Sequence, residues 1–164
     1  MARRCAKCGR LELKSREPNV YHYRLSGLDN VYLTGGVTEY ICPKCGAKST
    51  SIKNVTGLHK AIAGSIATAK RRLGGKELRF LREEMGFSAE ELAKVVEYSE
   101  EHIRKIESDV HIPKATYEMF LRMAILREMQ APGYDLRELG ERKEYALEEL
   151  NFVNKDHIWT KMAA

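Results

Sequence analysis

The chain has 164 residues, 43% of them hydrophobic, which is enough for one domain or two small ones and argues against wholesale disorder. No apolar run approaches the ~18–20 residues that a membrane span requires, and Met1-Ala2-Arg3-Arg4-Cys5 has no secretory apolar core. The sequence therefore reads as cytoplasmic, where four cysteines point to metal ligation or reactive thiols rather than disulfides. The net charge of +5 is uneven: residues 1–85 carry 17 Lys/Arg against 7 Asp/Glu, and residues 86–164 carry 11 against 16. A basic front half fits nucleic acid or another acidic partner.

Residues 1–54 read as a small β-rich domain. Val20–Leu25, Val31–Leu33 and Val37–Ile41 are rich in aromatic and β-branched residues, punctuated by Ser26-Gly27 and Gly35-Gly36. So short a domain buries little apolar surface and needs a staple. Cys5-Ala6-Lys7-Cys8-Gly9 and Cys42-Pro43-Lys44-Cys45-Gly46 supply one, as two copies of C-x-x-C-G. Four thiolates surround a zinc ion tetrahedrally, and the glycine after each pair accepts the backbone conformation that folds the chain over the metal. Thiol–disulfide exchange and an iron–sulfur cluster are the competing readings. The βαβ setting of a redox C-x-x-C is missing from the pattern. Four cysteines leave a zinc ion no open position, so one structural zinc per chain is expected, bound by Cys5, Cys8, Cys42 and Cys45. The sequence carries no nucleophile elbow, phosphate loop or His-Glu metalloprotease motif, and an enzyme is not expected.

Residues 55–75 form a connecting segment. Leu58, Ile62, Ile66, Ala69 and Leu73 predict a helix over 57–73, and Gly74-Gly75 read as its end and a hinge. Residues 76–128 then predict four short helices. Lys76–Met85 is the first. Ser88 caps Ala89–Val96, with Glu91 completing a capping box, and Ser99 caps Glu100–Ser108. Pro113 opens the last, to about Glu128. Residues 129–164 read as a C-terminal tail, with Leu136, Leu139, Ala146, Leu150 and Val153 predicting an amphipathic helix over 135–153. The expected fold class is α+β: a zinc-bound β-domain, an all-α domain and a C-terminal helix.

Residues 76–128 resemble the phage-repressor-like (Xre/Cro) helix-turn-helix. The matching residues are Leu78-Arg79-Phe80-Leu81-Arg82, Gly86-Phe87-Ser88, Glu91-Leu92-Ala93, Tyr98-Ser99, Ile103, Ile106-Glu107 and Pro113. The order of motifs in residues 1–128 is similar to the MqsA (YgiT-type) zinc-finger antitoxin and regulator family. That resemblance implies a homodimer binding double-stranded operator DNA through the helical domain, with a protein toxin as a further partner of the zinc domain. It also implies that Glu100–Ser108 enters the major groove. Ser99, His102, Arg104, Lys105 and Ser108 are then the candidate groove contacts. Lys70, Arg71, Arg72, Lys76, Arg79 and Arg82 are the candidate phosphate contacts. The sequence departs from the pattern at Ala89, which offers no polar contact after the Ser88 cap, and at Glu100 and Glu101, whose carboxylates repel phosphate yet suit a helix N-terminus. The alternative reading is a protein-interaction module that keeps the helix-turn-helix fold and reads DNA weakly.

Overall fold

A computed structural model describes residues 4–129 and 147–163. The chain begins with five strands: β1 (Lys14–Arg16), β2 (Tyr21–His22), β3 (Val31–Thr34), β4 (Val37–Ile41) and β5 (Lys48–Ile52). Five helices follow: α1 (Val55–Ala67), α2 (Gly75–Glu84), α3 (Ala89–Val95), α4 (Glu100–Glu107) and α5 (Ala115–Glu128). Two strands close the chain, β6 (Leu150–Lys155) and β7 (Ile158–Lys161). The α+β class expected from the sequence is the class observed. Only part of the predicted Val20–Leu25 strand forms, as β2, and Arg24–Ser26 turns into a 3-10 helix closed by Gly27 at φ 77°.

The strands make two sheets. Antiparallel β1-β4-β5 carries the cysteine pairs at its ends, and its strands are mostly exposed or half-buried. The second sheet, β2-β3-β6-β7, joins the two ends of the chain. Its centre is a parallel pairing of Val31, Tyr32, Leu33 and Thr34 with Leu150, Asn151, Phe152 and Val153. Period-2 alternation drives it: Val31, Leu33, Leu150 and Phe152 point inward and are buried, while their neighbours are half-exposed. β6 and β7 form a hairpin whose two turn residues, Asp156 and His157, take φ 49° and 64°, the left-handed pair that two-residue hairpins favour. Trp159 of β7 is buried and donates from Nε1 to the Lys53 carbonyl at 2.8 Å. Gly36 is needed beside this hairpin, because a Cβ there would lie 2.8 Å from Asn154 Cβ.

This hairpin corrects one expectation. The helix predicted over 135–153 ends on residues that are strand, since Leu150–Lys155 is β6; the earlier residues 135–146 lie outside the described residues. The helical spacing of Leu150 and Val153 competes with the alternation of Leu150 and Phe152, and pairing with β3 decides for the strand.

One continuous apolar core runs from Tyr23, Val31 and Leu33 through Leu58, Ile62 and Ile66 of α1 to Leu81, Leu92, Ile103 and Leu121, and back to Phe152 and Trp159. The core does not break between the β-rich segment and the helices. α1 starts at Asn54, whose side chain accepts from Gly57 N at 3.0 Å and donates to the His157 carbonyl at 2.9 Å. It stops at Ala67, six residues before the predicted end.

The cause is Arg122 of α5, which is fully buried. Its guanidinium donates to the carbonyls of Ile66 at 3.2 Å, Ala67 at 2.8 Å, Ala69 at 2.9 Å and Arg71 at 2.6 Å. These acceptors lie at and just beyond the end of α1, and a cation suits the negative end of that helix. Burial pulls the Arg122 pKa down, and the Glu118 carboxylate at 2.8 Å opposes that shift. Arg122→Ala would strip Glu118 of a buried partner and remove the donor that the four carbonyls share. A loss of about 3–5 kcal/mol is expected in urea unfolding at pH 7. A loss below about 1 kcal/mol would show that the cluster does not hold α1 to α5.

Candidate metal centre and nucleic-acid interface

The two C-x-x-C-G segments adopt the same turn. Gly9 N donates to Cys5 O and Gly46 N to Cys42 O, both at 2.9 Å, while Cys5 N and Cys42 N donate onward to Arg10 O at 2.8 Å and Ala47 O at 2.9 Å. Gly9 and Gly46 have φ of 72° and 67°, the left-handed conformation that calls for glycine at these two positions. β4 runs directly into Cys42 and β5 begins just after the second turn, so the sheet fixes one pair. β1 is paired to β4 and brings the first pair beside it.

All four sulfurs lie within 4.8 Å of one another, with Cys5 and Cys45 at 3.7 Å and Cys8 and Cys42 at 3.5 Å. A disulfide needs about 2.05 Å, so these are free thiols. Four sulfurs at ~2.3 Å from a tetrahedral ion stand about 3.8 Å apart, so the observed spacing is compatible with one zinc ion.

The electrostatics point the same way. Cys42 is lowered to about 6, first by the amide of Cys45. Cys5 is likewise lowered, by the amides of Cys8 and Lys7. Cys45 also accepts from the Ala47 amide, but burial and the neighbouring thiols outweigh it and push the group up to about 11. Four thiolates this close repel one another unless a cation sits among them.

Metal loading therefore releases protons from the thiols still protonated, chiefly Cys45. Zinc affinity is expected to rise with pH between about 6 and 11. It should fall in acid as Cys42 protonates. Competition against a chromophoric chelator at two pH values measures this. Cys5→Ser should abolish the tight zinc equivalent held by the cysteines while far-UV helical signal persists. Tight zinc binding by that variant, or affinity independent of pH, would contradict a four-thiolate site.

The helical body places α4 at the surface. Ser88 Oγ accepts from Glu91 N at 3.1 Å and Ser88 N donates to Glu91 Oε2 at 2.7 Å, the capping box that the spacing predicts. Ser99 Oγ accepts from His102 N at 3.2 Å and starts α4. Between the two helices Glu97 takes φ 56°, a left-handed turn residue that is not glycine. Leu92 and Ala93 of α3 and Ile103 and Ile106 of α4 join the core, which leaves the opposite face of α4 in solvent. Ala89 is buried in the same core, so this position supplies packing instead of a polar contact.

The C-terminal end of α4 is locked to α2. Arg82 donates to both oxygens of Glu107, at 2.5 and 2.9 Å, and to the Phe87 carbonyl at 2.7 Å. Gly75 is the first residue of α2, where a Cβ would come within 2.5 Å of the Ile106 carbonyl. Its amide donates to Asp109 Oδ1 at 2.6 Å.

The candidate contacts divide accordingly. On α4, Arg104 is exposed and pairs with Glu100 at 2.5 Å, Lys105 pairs with Glu101 at 2.7 Å, and Ser108 Oγ donates to the Arg104 carbonyl at 2.8 Å. Ser99 is an exposed cap, and His102 is half-buried with its Nδ1 at 3.3 Å from Nδ1 of His111. Among the basic residues before α4, Lys70 is exposed, Lys76 pairs with Asp29, and Arg79 pairs with Glu83 at 2.8 Å in the open.

Arg71, Arg72 and Arg82 are corrections to the expected phosphate set. Arg71 is buried in a two-pronged pair with Glu77 at 2.6 and 2.8 Å, and Arg82 is buried against Glu107. Arg72 is largely covered, with Glu118 at 2.8 Å and the Pro113 carbonyl at 2.9 Å. Their charges are neutralised inside the protein. The partners lie 6 to 46 residues away in sequence, and no local pattern announces them.

Residues 78–124, under a third of the chain, match a family model described as helix-turn-helix. The match spans most of α2, all of α3 and α4, and the first turns of α5, so this segment is similar in sequence to a helix-turn-helix domain. No curated protein and no solved structure matches the chain. Among the described residues, no helix is long and apolar enough to cross a membrane.

Proposed function

We propose that this chain is a DNA-binding transcriptional regulator whose N-terminal cysteines hold one structural zinc ion. The observation that carries the reading is the exposed outer face of α4, set two helices into a segment that matches the helix-turn-helix family. In this reading α4 enters the major groove, with Arg104, Lys105, Ser99, His102 and Ser108 on or beside the groove-facing side. Among the described residues, Arg104 and Lys105 are held by exposed pairs within their own helix, and such pairs contribute little. A phosphate or base edge replaces such a partner at small cost. Lys70, Lys76 and Arg79 supply phosphate contacts from the surface beside it. A homodimer would set two α4 helices about one DNA turn apart on a near-palindromic site, in the cytoplasm.

A finer form of the same reading makes the chain the antitoxin of a toxin–antitoxin pair. It rests on the resemblance of the motif order to the MqsA-type family, with the zinc-bearing sheet facing a protein toxin.

A second reading, a protein-interaction module, is favoured by one feature: Glu90, Glu97, Glu100 and Glu101 surround the same helix faces. Salt dependence separates the two readings. Duplexes selected from a random pool should bind with log affinity falling linearly in log salt concentration. Lys76→Ala and Arg79→Ala should each lower that slope by about 1 per bound protomer. Arg104→Ala should cost about 1–3 kcal/mol on the selected sequence if it contacts a base. Failure to enrich any duplex at low salt would overturn the DNA reading in favour of the protein partner.

A further inference from the structure

The recognition-helix rim carries a second pair of metal-type donors that share no residue with the cysteine cluster. His102 is the third residue of α4. Its backbone amide is tied to the Ser99 hydroxyl at 3.2 Å, and the edge of its ring meets Tyr98 with centroids 4.7 Å apart. The chain leaves α4, reverses at Asp109 with φ 58°, and returns along the same side. Val110 N and His111 N both donate to the Lys105 carbonyl, at 2.9 and 3.1 Å, and Asp109 is anchored on the Gly75 amide. Both backbone positions are thereby fixed, and the two rings meet with Nδ1 to Nδ1 at 3.3 Å and planes inclined by 52°.

That distance has a physical reading. An ordinary hydrogen bond from a ring N–H spans about 2.7–3.2 Å, so 3.3 Å is long for a shared proton. Two imidazole nitrogens bound at ~2.0–2.1 Å to one tetrahedral ion stand about 3.3–3.4 Å apart. Neutral imidazole is a borderline donor that suits zinc and nickel.

We propose that His102 and His111 form a second metal site, for a divalent ion such as zinc, on the rim of α4. Water would complete the remaining positions; the exposed Glu101 carboxylate, next to His102 in sequence, is paired with Lys105 at 2.7 Å. Occupancy places two positive charges on residues 86–128, which carry 6 Lys/Arg against 9 Asp/Glu. The ion thus offsets the local excess of carboxylates. The site stands whether or not α4 reads DNA.

The test uses the full chain with its cysteines already loaded with one equivalent of zinc. Calorimetric titration with further zinc is expected to show a second equivalent. His102→Ala and His111→Gln should each weaken that second equivalent at least tenfold and leave the first unchanged. In nitrogen-15 spectra of the imidazoles, Nδ1 of both rings should shift together as the second equivalent binds. Circular dichroism of the variants checks that the fold is retained. Uptake of a single equivalent at zinc excess, or a second equivalent insensitive to both substitutions, would overturn the site. So would a proton bridge between the rings that persists with zinc in excess.

Discussion

Four sulfurs drawn to within 4.8 Å of one another are the constraint on which the front of this molecule depends. The sheet that carries them buries few side chains: β1 is exposed throughout, and β5 is exposed or half-buried. Hydrophobic burial contributes little to a sheet of this kind, and hydrogen bonds alone contribute modestly in water. A bound cation changes the balance, because it converts four mutually repelling sulfurs into ligands and closes the loop between the two cysteine pairs, Cys8 and Cys42 being 34 positions apart. The divergence of Cys42 and Cys45, one pulled to about 6 and the other pushed to about 11, is the same constraint seen without the ion.

The rear of the molecule uses charge differently. Arg71, Arg82 and Arg122 are buried, and each meets a buried or nearly buried carboxylate: Glu77, Glu107 and Glu118. Arg122 also collects four carbonyls at and beyond the end of α1. The arrangement holds α1, α2, α4 and α5 in one register around a continuous core. It also sorts the basic residues by role. Of the candidate contacts, Lys70, Lys76, Arg79, Arg104 and Lys105 stay toward solvent, held by exposed pairs or by none described, and so remain able to meet an anionic partner.

Much of this was legible in the sequence wherever the determining interaction is local. The repeated C-x-x-C-G, the Ser88 and Ser99 caps and the apolar spacing of α2 to α5 each act within a few residues. The structure places those elements within two residues of the expected bounds. What escaped was set at long range. Ala69 and Leu73 continue the spacing of α1, yet the helix ends at Ala67, where a guanidinium from α5 takes its last carbonyls. Leu150 fits both a helical and a strand period, and β3, more than a hundred residues earlier, selects the strand. The β6–β7 turn has no glycine, since Asp156 and His157 occupy its left-handed positions, so the usual hairpin signal was missing. Arginine looks alike in sequence whether it serves a phosphate or a buried glutamate, which is why the basic stretch over 70–82 promised more free charge than the fold leaves.

Zinc K-edge X-ray absorption on the purified chain tests the central claim most directly. At one zinc per chain the account predicts a first shell of four sulfurs at ~2.3 Å and no nitrogen or oxygen ligand. A first shell with fewer than four sulfurs, or a purified chain whose cysteines take up no zinc, would contradict it.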